Sequence, residues 1–432
     1  MRYYSTRNPN HTATLREAVF RGLAPDGGLY LPEKFEPLPA AFYAEIERLP
    51  FGEINFRAAR ALCGNNVPEA TLRKITDEAV NFPVPAKEIE PGIYSLELFH
   101  GPTLAFKDVG ARFTARLLGH FAETENQKIK VVVATSGDTG GAVAAGFFGV
   151  PGIEVFILYP EGRVSPIQEK QLTTWGGNIT AIEVKGAFDD CQALAKRMLN
   201  DSELTAKQRI TSANSINIAR LIPQSFYYFQ LYAQLKSLGK PLTVCVPSGN
   251  FGNLTAGLMA KKLGLPVSKF LAATNANDVV PEFMRTGTYR PRPSVATVSN
   301  AMDVGAPSNF ERMRNMFGNN PEDFVPFLGA AGVSDASTKA AMDEVYRRTG
   351  YLLDPHGAVG YEVLKAYLGK DSSSVGVVLE TAHPAKFSEV TEAAVGKLPE
   401  MPERLRAFAE KEKKAVKIDN DYDAARAVVA KN

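Results

Sequence analysis

Ile129-Lys130-Val131-Val132-Val133-Ala134, then Thr135-Ser136-Gly137-Asp138-Thr139, then Gly140-Gly141-Ala142-Val143-Ala144-Ala145-Gly146-Phe147-Phe148: this stretch decides the fold. A strand-length run whose residues 131–134 are all apolar, a turn of small polar residues and a small-residue helical run read as a strand feeding a helix. The same grammar recurs outward from it. Residues 153–158 and 179–184 read as strands and 188–199 repeats at helical spacing. Residues 242–246 form a strand that runs into Pro247-Ser248-Gly249-Asn250-Phe251-Gly252-Asn253, with a helix expected over 254–263. Residues 375–379 make a last strand, ahead of Glu380-Thr381-Ala382-His383-Pro384. Short Val/Ile-rich runs alternating with helical periods predict an α/β protein with a mostly parallel sheet.

The chain has 432 residues, enough for two or three domains. Residues 1–95 carry Pro-rich joints at Pro37, Pro39, Pro83, Pro85 and Pro91 and read as a separate N-terminal domain. Residues 96–240 and 241–398 are the α/β regions, 278–320 reads as long loops, and 399–432 as a charged, Ala-rich helical tail. Lys plus Arg is 49 and Asp plus Glu 47, so the net charge is +2, with no basic tract for nucleic acid. The three cysteines, Cys63, Cys191 and Cys245, are too few and too scattered for a disulfide framework or paired zinc ligands. They fit a reducing compartment, and we expect a cytoplasmic protein. The polar N-terminus and strand-sized apolar runs give the expectation of neither signal peptide nor membrane span.

Two loops have the makings of anion sites. Ser248 to Asn253 places glycines and small polar residues between a strand and a helix, where backbone N–H groups and the positive helix end meet a phosphate. It lacks the Gly-Lys-Ser/Thr of a P-loop and the Gly-x-Gly-x-x-Gly of a dinucleotide fold, so a single phosphate group is the expected ligand. A tight turn that needs glycine for its geometry alone would read the same way. Thr135 to Gly141 suits a carboxylate or a second phosphate, and equally a helix cap made by Asp138 or Thr139.

Three further groups carry chemistry. In His100-Gly101-Pro102-Thr103-Leu104-Ala105-Phe106-Lys107-Asp108, Lys107 stands at the start of a helix with the stripe Val109, Phe113, Leu117 and Phe121. Apolar neighbours and the helix N-terminus disfavour an ammonium, which would turn this lysine into a nucleophilic amine, although most lysines are simply solvated. Asn214-Ser215-Ile216-Asn217 with Arg220 could clamp an oxyanion, or merely cap a helix. Thr381 follows an apolar strand, where a hydroxyl can face a cleft. Arg285, Arg290 and Arg292 form a basic cluster that could steer an anionic substrate or form a solvated face. His11, His100, His120, His356 and His383 show no metal-ligand spacing, and no Gly-x-Ser-x-Gly elbow occurs, so metalloenzyme and serine-hydrolase readings fall away.

Taken together, these motifs resemble the threonine synthase family of pyridoxal-phosphate enzymes, of the tryptophan-synthase-β type. Tyr4-Ser5-Thr6-Arg7, Glu17-Ala18-Val19 and Gly22-Leu23-Ala24-Pro25-Asp26-Gly27-Gly28-Leu29-Tyr30 resemble that family's N-terminal domain, and His100 to Asp108 its lysine segment. The resemblance implies fold type II: two open α/β domains around a cofactor cleft, plus the small N-terminal domain. It implies that Lys107 carries pyridoxal 5'-phosphate as a Schiff base, that Gly249, Asn250, Phe251, Gly252 and Asn253 cradle its phosphate, and that Thr381 bonds the ring nitrogen. Asp138 stands where many relatives have an asparagine beside the cofactor hydroxyl. Thr135, Ser136 and Thr139 are implied to grip the substrate carboxylate, and Asn214, Ser215 and Arg220 the substrate phosphate. The implied reaction converts O-phosphohomoserine and water to threonine and phosphate. Ser299 to Gly305 is family-like without an assigned role. Long N-terminal and loop regions covering surface that shorter relatives bury in a dimer imply a monomer or weak homodimer.

Overall fold

The computed structural model describes residues 1–125, 128–371 and 373–431. Its framework is two largely parallel sheets. A five-stranded, all-parallel sheet runs in the order Val416–Asp419, Ile179–Lys185, Ile153–Pro160, Ile129–Ala134, Arg209–Ser212. A six-stranded sheet runs Leu328–Gly332, Lys269–Thr274, Leu242–Pro247, Val375–Glu380, Ile93–Glu97, Ala86–Glu90, and only the last pair is antiparallel. Every residue of Ile129–Ala134, Leu242–Pro247 and Val375–Glu380 is buried, which is why these strands are mostly apolar, with Lys130, Thr243 and Glu380 as exceptions, and do not alternate.

The strand order locates the site. From Ile129–Ala134 the chain lays strands first on one side, at 153–160, and later on the other, at 209–212. From Leu242–Pro247 it does the same, with 269–274 on one side and 375–380 on the other. Each sheet therefore has a switch point, and the crevice beyond the carboxyl end of the strand there is where open α/β sheets bind ligands. The two anion-suited loops follow these two strands.

The helix Lys107–Glu125 begins on Lys107, and its predicted stripe is buried: Val109, Phe113, Leu117 and Phe121. It lies close against the helix Asp138–Phe147, since a Cβ on Gly146 would stand 3.1 Å from the carbonyl carbon of Ala111. The first residues form a three-stranded antiparallel sheet, Thr12–Ala13, Tyr3–Ser5 and Tyr30–Pro32. Among the described residues no helix is long and apolar enough to cross a membrane.

Two expectations are corrected. Residues 278–320 are not only loops: helices Val279–Thr286 and Phe310–Phe317 form there because Val279, Val280, Phe283, Phe310 and Met313 are buried and repeat at helical spacing. Residues 399–432 are not a purely helical surface tail. Val416–Asp419 adds an edge strand to the five-stranded sheet, and Tyr422, Ala425 and Val429 of the helix Tyr422–Ala430 are buried against it; Asn432 lies outside the described residues. Sheet membership also departs from chain order, since Ala86–Glu90 and Ile93–Glu97 belong to the sheet built otherwise from residues 242–380.

Candidate active site

Lys107, both anion-suited loops, Asn214, Ser215, Arg220 and Thr381 line one cavity of about 1120 Å³. The lysine segment is fixed by a short antiparallel bridge to the end of the strand Val375–Glu380. Phe106 N–H donates to the Thr381 carbonyl at 2.8 Å and His383 N–H to the Leu104 carbonyl at 3.1 Å. Lys107 is thereby held beside Thr381, whose hydroxyl makes no hydrogen bond within the described residues. The Lys107 amine has no hydrogen bond or ion pair among them either, and lies 5.8 Å from the centre of the Phe106 ring. Its pKa is lowered by removal from solvent, opposed by Asp138 and reinforced by Arg220 and Lys386.

The loop after Leu242–Pro247 is a backbone cradle. None of the N–H groups of Gly249, Asn250, Phe251, Gly252 and Asn253 has a protein acceptor among the described residues, and the helix Gly252–Lys262 begins there. Phe251 holds a left-handed conformation, φ 61°, at the helix N-cap. A Cβ on Gly249 would stand 2.6 Å from Met302 Cα, so the backbone of Ser299 to Gly305 seals one side of the cradle and only glycine fits. Five open N–H groups at a helix start fit the phosphate of pyridoxal phosphate.

The side chains of Asn250, Asn253 and Asn309 brace the cradle. Asn250 donates to Ser215 Oγ at 2.7 Å and accepts from Ser308 N–H at 2.6 Å. Asn253 Oδ1 accepts from the Tyr227 and Tyr228 hydroxyls at 2.6 and 2.7 Å. Asn309 donates to Ser215 Oγ and to the Asn250 carbonyl.

The loop after Ile129–Ala134 is built differently. Thr135 turns its hydroxyl inward to accept from Gly137 N–H at 2.9 Å and Gly140 N–H at 2.8 Å, so it shapes the loop and offers no free hydroxyl. Ser136 and Thr139 keep theirs, and the N–H groups of Ser136, Asp138 and Thr139 have no protein acceptor among the described residues. Asp138 is buried, with Oδ1 taking Lys386 Nζ at 2.6 Å and Gln168 Nε2 at 2.8 Å. Burial would raise its pKa, but Lys386 and Lys107 hold it well below the usual carboxylate range.

Of the oxyanion group, Asn214 is committed to the backbone of Ala134, donating at 2.8 Å and accepting at 3.2 Å. Asn217 is fully structural: it caps the helix Ile218–Leu221 and donates to the carbonyls of Val19 and Ser212. Arg220 remains as the cation. It is 3% exposed, donates to the Ala213 carbonyl and has no carboxylate partner among the described residues, and burial pushes its pKa down to about 10. Arg285, Arg290 and Arg292 do not line the cavity, and Arg292 is neutralised by Asp278 and Glu282.

Sequence reasoning missed Lys386, Gln168, Asn309 and Arg312. Arg312 is fully buried and reaches the carbonyls of Tyr30, Ser215 and Ile216 and Oδ1 of Asn309, tying the N-terminal sheet to the clamp. A readable signal for Lys386 was a lone cation among apolar residues, in Pro384-Ala385-Lys386-Phe387.

A family model for pyridoxal-phosphate-dependent enzymes matches residues 80–380, one for the threonine synthase N terminus residues 2–80, and one for the threonine synthase C-terminal region residues 357–429. The chain is 45% identical to threonine synthase from Haemophilus influenzae, with all of both chains covered. The chain belongs to the threonine synthase family. It is a pyridoxal-phosphate-dependent lyase of fold type II. The crystal structure of threonine synthase from Escherichia coli superposes with a TM-score of 0.93 at 42% identity, covering 99% of each chain. That of the PLP-bound threonine synthase from Brucella melitensis superposes with a TM-score of 0.93 at 34% identity, covering 99% of this chain and 98% of the other.

Proposed function

We propose that this cavity converts O-phospho-L-homoserine and water to L-threonine and phosphate, with Lys107 as the lysine that carries the cofactor. The observation that carries the substrate is Arg220: a buried guanidinium without a carboxylate partner, on the same cavity wall as Lys107. A buried cation needs an anion, and a substrate that brings its own phosphate supplies one.

The residue roles follow from the donors available. Gly249, Asn250, Phe251, Gly252 and Asn253 hold the cofactor phosphate through backbone N–H groups, Thr381 faces the ring nitrogen and Asp138 the ring hydroxyl. Ser136 and Thr139, on a loop shaped by Thr135, hold the substrate carboxylate. Arg220 and Ser215, the latter steadied by its neighbours and by Asn214, hold the substrate phosphate. Bound pyridoxal phosphate supplies an electron sink that makes the protons on the substrate's α and β carbons acidic. Lys107, as a neutral amine, takes the proton from Cα and then one from Cβ; once phosphate has left Cγ, a proton is delivered to Cγ, water adds its hydroxyl at Cβ, and Cα is reprotonated. Arg220 stabilises the γ-phosphate as it leaves and keeps it in the cavity while water adds at Cβ. Enclosure suppresses premature hydrolysis.

We further propose that units drawn along the chain at 1–95, 96–240, 241–398 and 399–432 share strands at their borders, with 86–97 completing the sheet of the 241–398 unit and 416–419 that of the 96–240 unit, and that the protein is cytoplasmic and a monomer or weak homodimer with no nucleic-acid partner.

The test is product stoichiometry. Phosphate and threonine should appear one to one from O-phosphohomoserine, and Arg220→Ala should raise KM about 10- to 100-fold, the range for losing a charge-assisted contact. Phosphate accompanied by a 2-oxoacid, or an unchanged KM in Arg220→Ala, would overturn the reading.

A further inference from the structure

Asp138 raises a difficulty of charge. A buried carboxylate beside the Lys107 amine would ordinarily capture that amine as its counter-ion, and a captured ammonium is neither nucleophile nor base. The structure supplies a second cation. Lys386 sits in the turn Pro384–Phe387, just after the strand that ends at Thr381, and is 1% exposed. Its Nζ lies 2.6 Å from Asp138 Oδ1 and donates to the Thr103 carbonyl at 2.9 Å. Gln171 donates to the same carbonyl at 3.0 Å and Gln168 to the same Asp138 oxygen at 2.8 Å, so both partners are held by further hydrogen bonds.

We propose that Lys386 is a charge-balancing, positioning residue of the site: paired with Asp138, it offsets part of the carboxylate's field at the Lys107 nitrogen, leaving that amine better able to shed its proton. The proposal rests on the reading of Lys107 as the cofactor-bearing lysine. Other charges facing the group do not replace Lys386. Asp108, next to Lys107, is satisfied by Thr103, which donates its N–H at 2.8 Å and its hydroxyl at 2.6 Å. Arg220 is a bare cation reserved for the substrate, and His383 is kept neutral by burial, its pKa lowered to about 4. The Asp138–Lys386 pair is therefore the element that can be neutralised from either side.

The signs are opposite for the two partners. Lys386→Met leaves Asp138 unpaired and favours a protonated Lys107 nitrogen. Asp138→Asn leaves Lys386 unpaired and disfavours it. Lys386→Met/Asp138→Asn removes one charge of each sign and returns the balance. The readout is the pH titration of the visible absorption band of the protein loaded with pyridoxal phosphate, which needs no turnover. The expected midpoint rises by about one to two pH units in Lys386→Met, falls in Asp138→Asn and returns towards that of the parent in the double variant. If Lys386→Met fails to fold because it strands a buried carboxylate, Asp138→Asn and the neutral double variant still give the comparison. Midpoints unchanged in all three, or moving in the same direction in both single variants, would overturn the proposal. Absence of a band that borohydride fixes on Lys107 in the parent protein would instead overturn the underlying assignment of the lysine.

Discussion

The two anion-binding loops occupy equivalent places and are built on different principles. Each follows the strand at the switch point of its sheet and leads into a helix, at Ala134 in one sheet and Pro247 in the other. The 248–253 loop presents backbone: five open N–H groups, with its own asparagines turned away to brace it. The 135–139 loop adds side chains to its own open N–H groups at Ser136, Asp138 and Thr139: two free hydroxyls and a buried carboxylate matched by Lys386. Backbone amides hold an anion that is a permanent resident, because they are rigid and carry no titrating group. A loop of side chains can instead set the proton balance next to a reacting amine. The difference in construction thus corresponds to a division between grip and chemistry.

The largest effect should come from the chemistry side. Lys107→Ala removes the amine altogether, and threonine formation should fall by more than about 10³-fold, as expected for a lost general base, with the visible band abolished. Retained turnover would break the division outright. Next is Gly249→Val on the grip side. Its Cβ would run into Met302 Cα at 2.6 Å, and overpacking of about 1–3 kcal/mol predicts cofactor dissociation roughly 10- to 100-fold weaker by fluorescence titration. Asn309→Ala sharpens the comparison, since it loosens Ser215 and the Asn250 carbonyl and removes one acceptor of the buried Arg312 while leaving Asp138 and Lys386 paired. Cofactor affinity and substrate KM should both worsen by about 3- to 10-fold, in the range of one or two neutral hydrogen bonds. The smallest effect belongs to Ser136→Ala, about 2- to 10-fold in KM with cofactor affinity unchanged. A change in cofactor affinity there would mean that the loops share the grip.

Much of this was legible in the chain. Ile129–Ala134, Leu242–Pro247 and Val375–Glu380 announce themselves because strands buried on both faces are mostly apolar without alternation. The 135–139 loop is marked by Gly137, whose φ is 143°, the 248–253 loop by Gly249, where a Cβ would meet Met302, and Lys107 by its place at a helix start. What escaped was whatever depends on long-range pairing. Nothing local says that Lys386 meets Asp138, that Asn250 reaches Ser308, or that Thr135 folds its hydroxyl into its own loop. The 248–253 loop was readable as a backbone cradle, but not that Asn250 and Asn253 would turn their side chains away to brace it. The strand Val416–Asp419 was missed for a related reason: an exposed edge strand lacks an apolar run, and only pairing with Ile179–Lys185 defines it.

The most direct test of the division is the ratio of dissociation constants for pyridoxal and pyridoxal phosphate, measured on the parent protein, Gly249→Val and Ser136→Ala. The account predicts a large preference for the phosphorylated form in the parent and in Ser136→Ala, and its collapse in Gly249→Val. A preference that survives in Gly249→Val, or that collapses in Ser136→Ala, would contradict it.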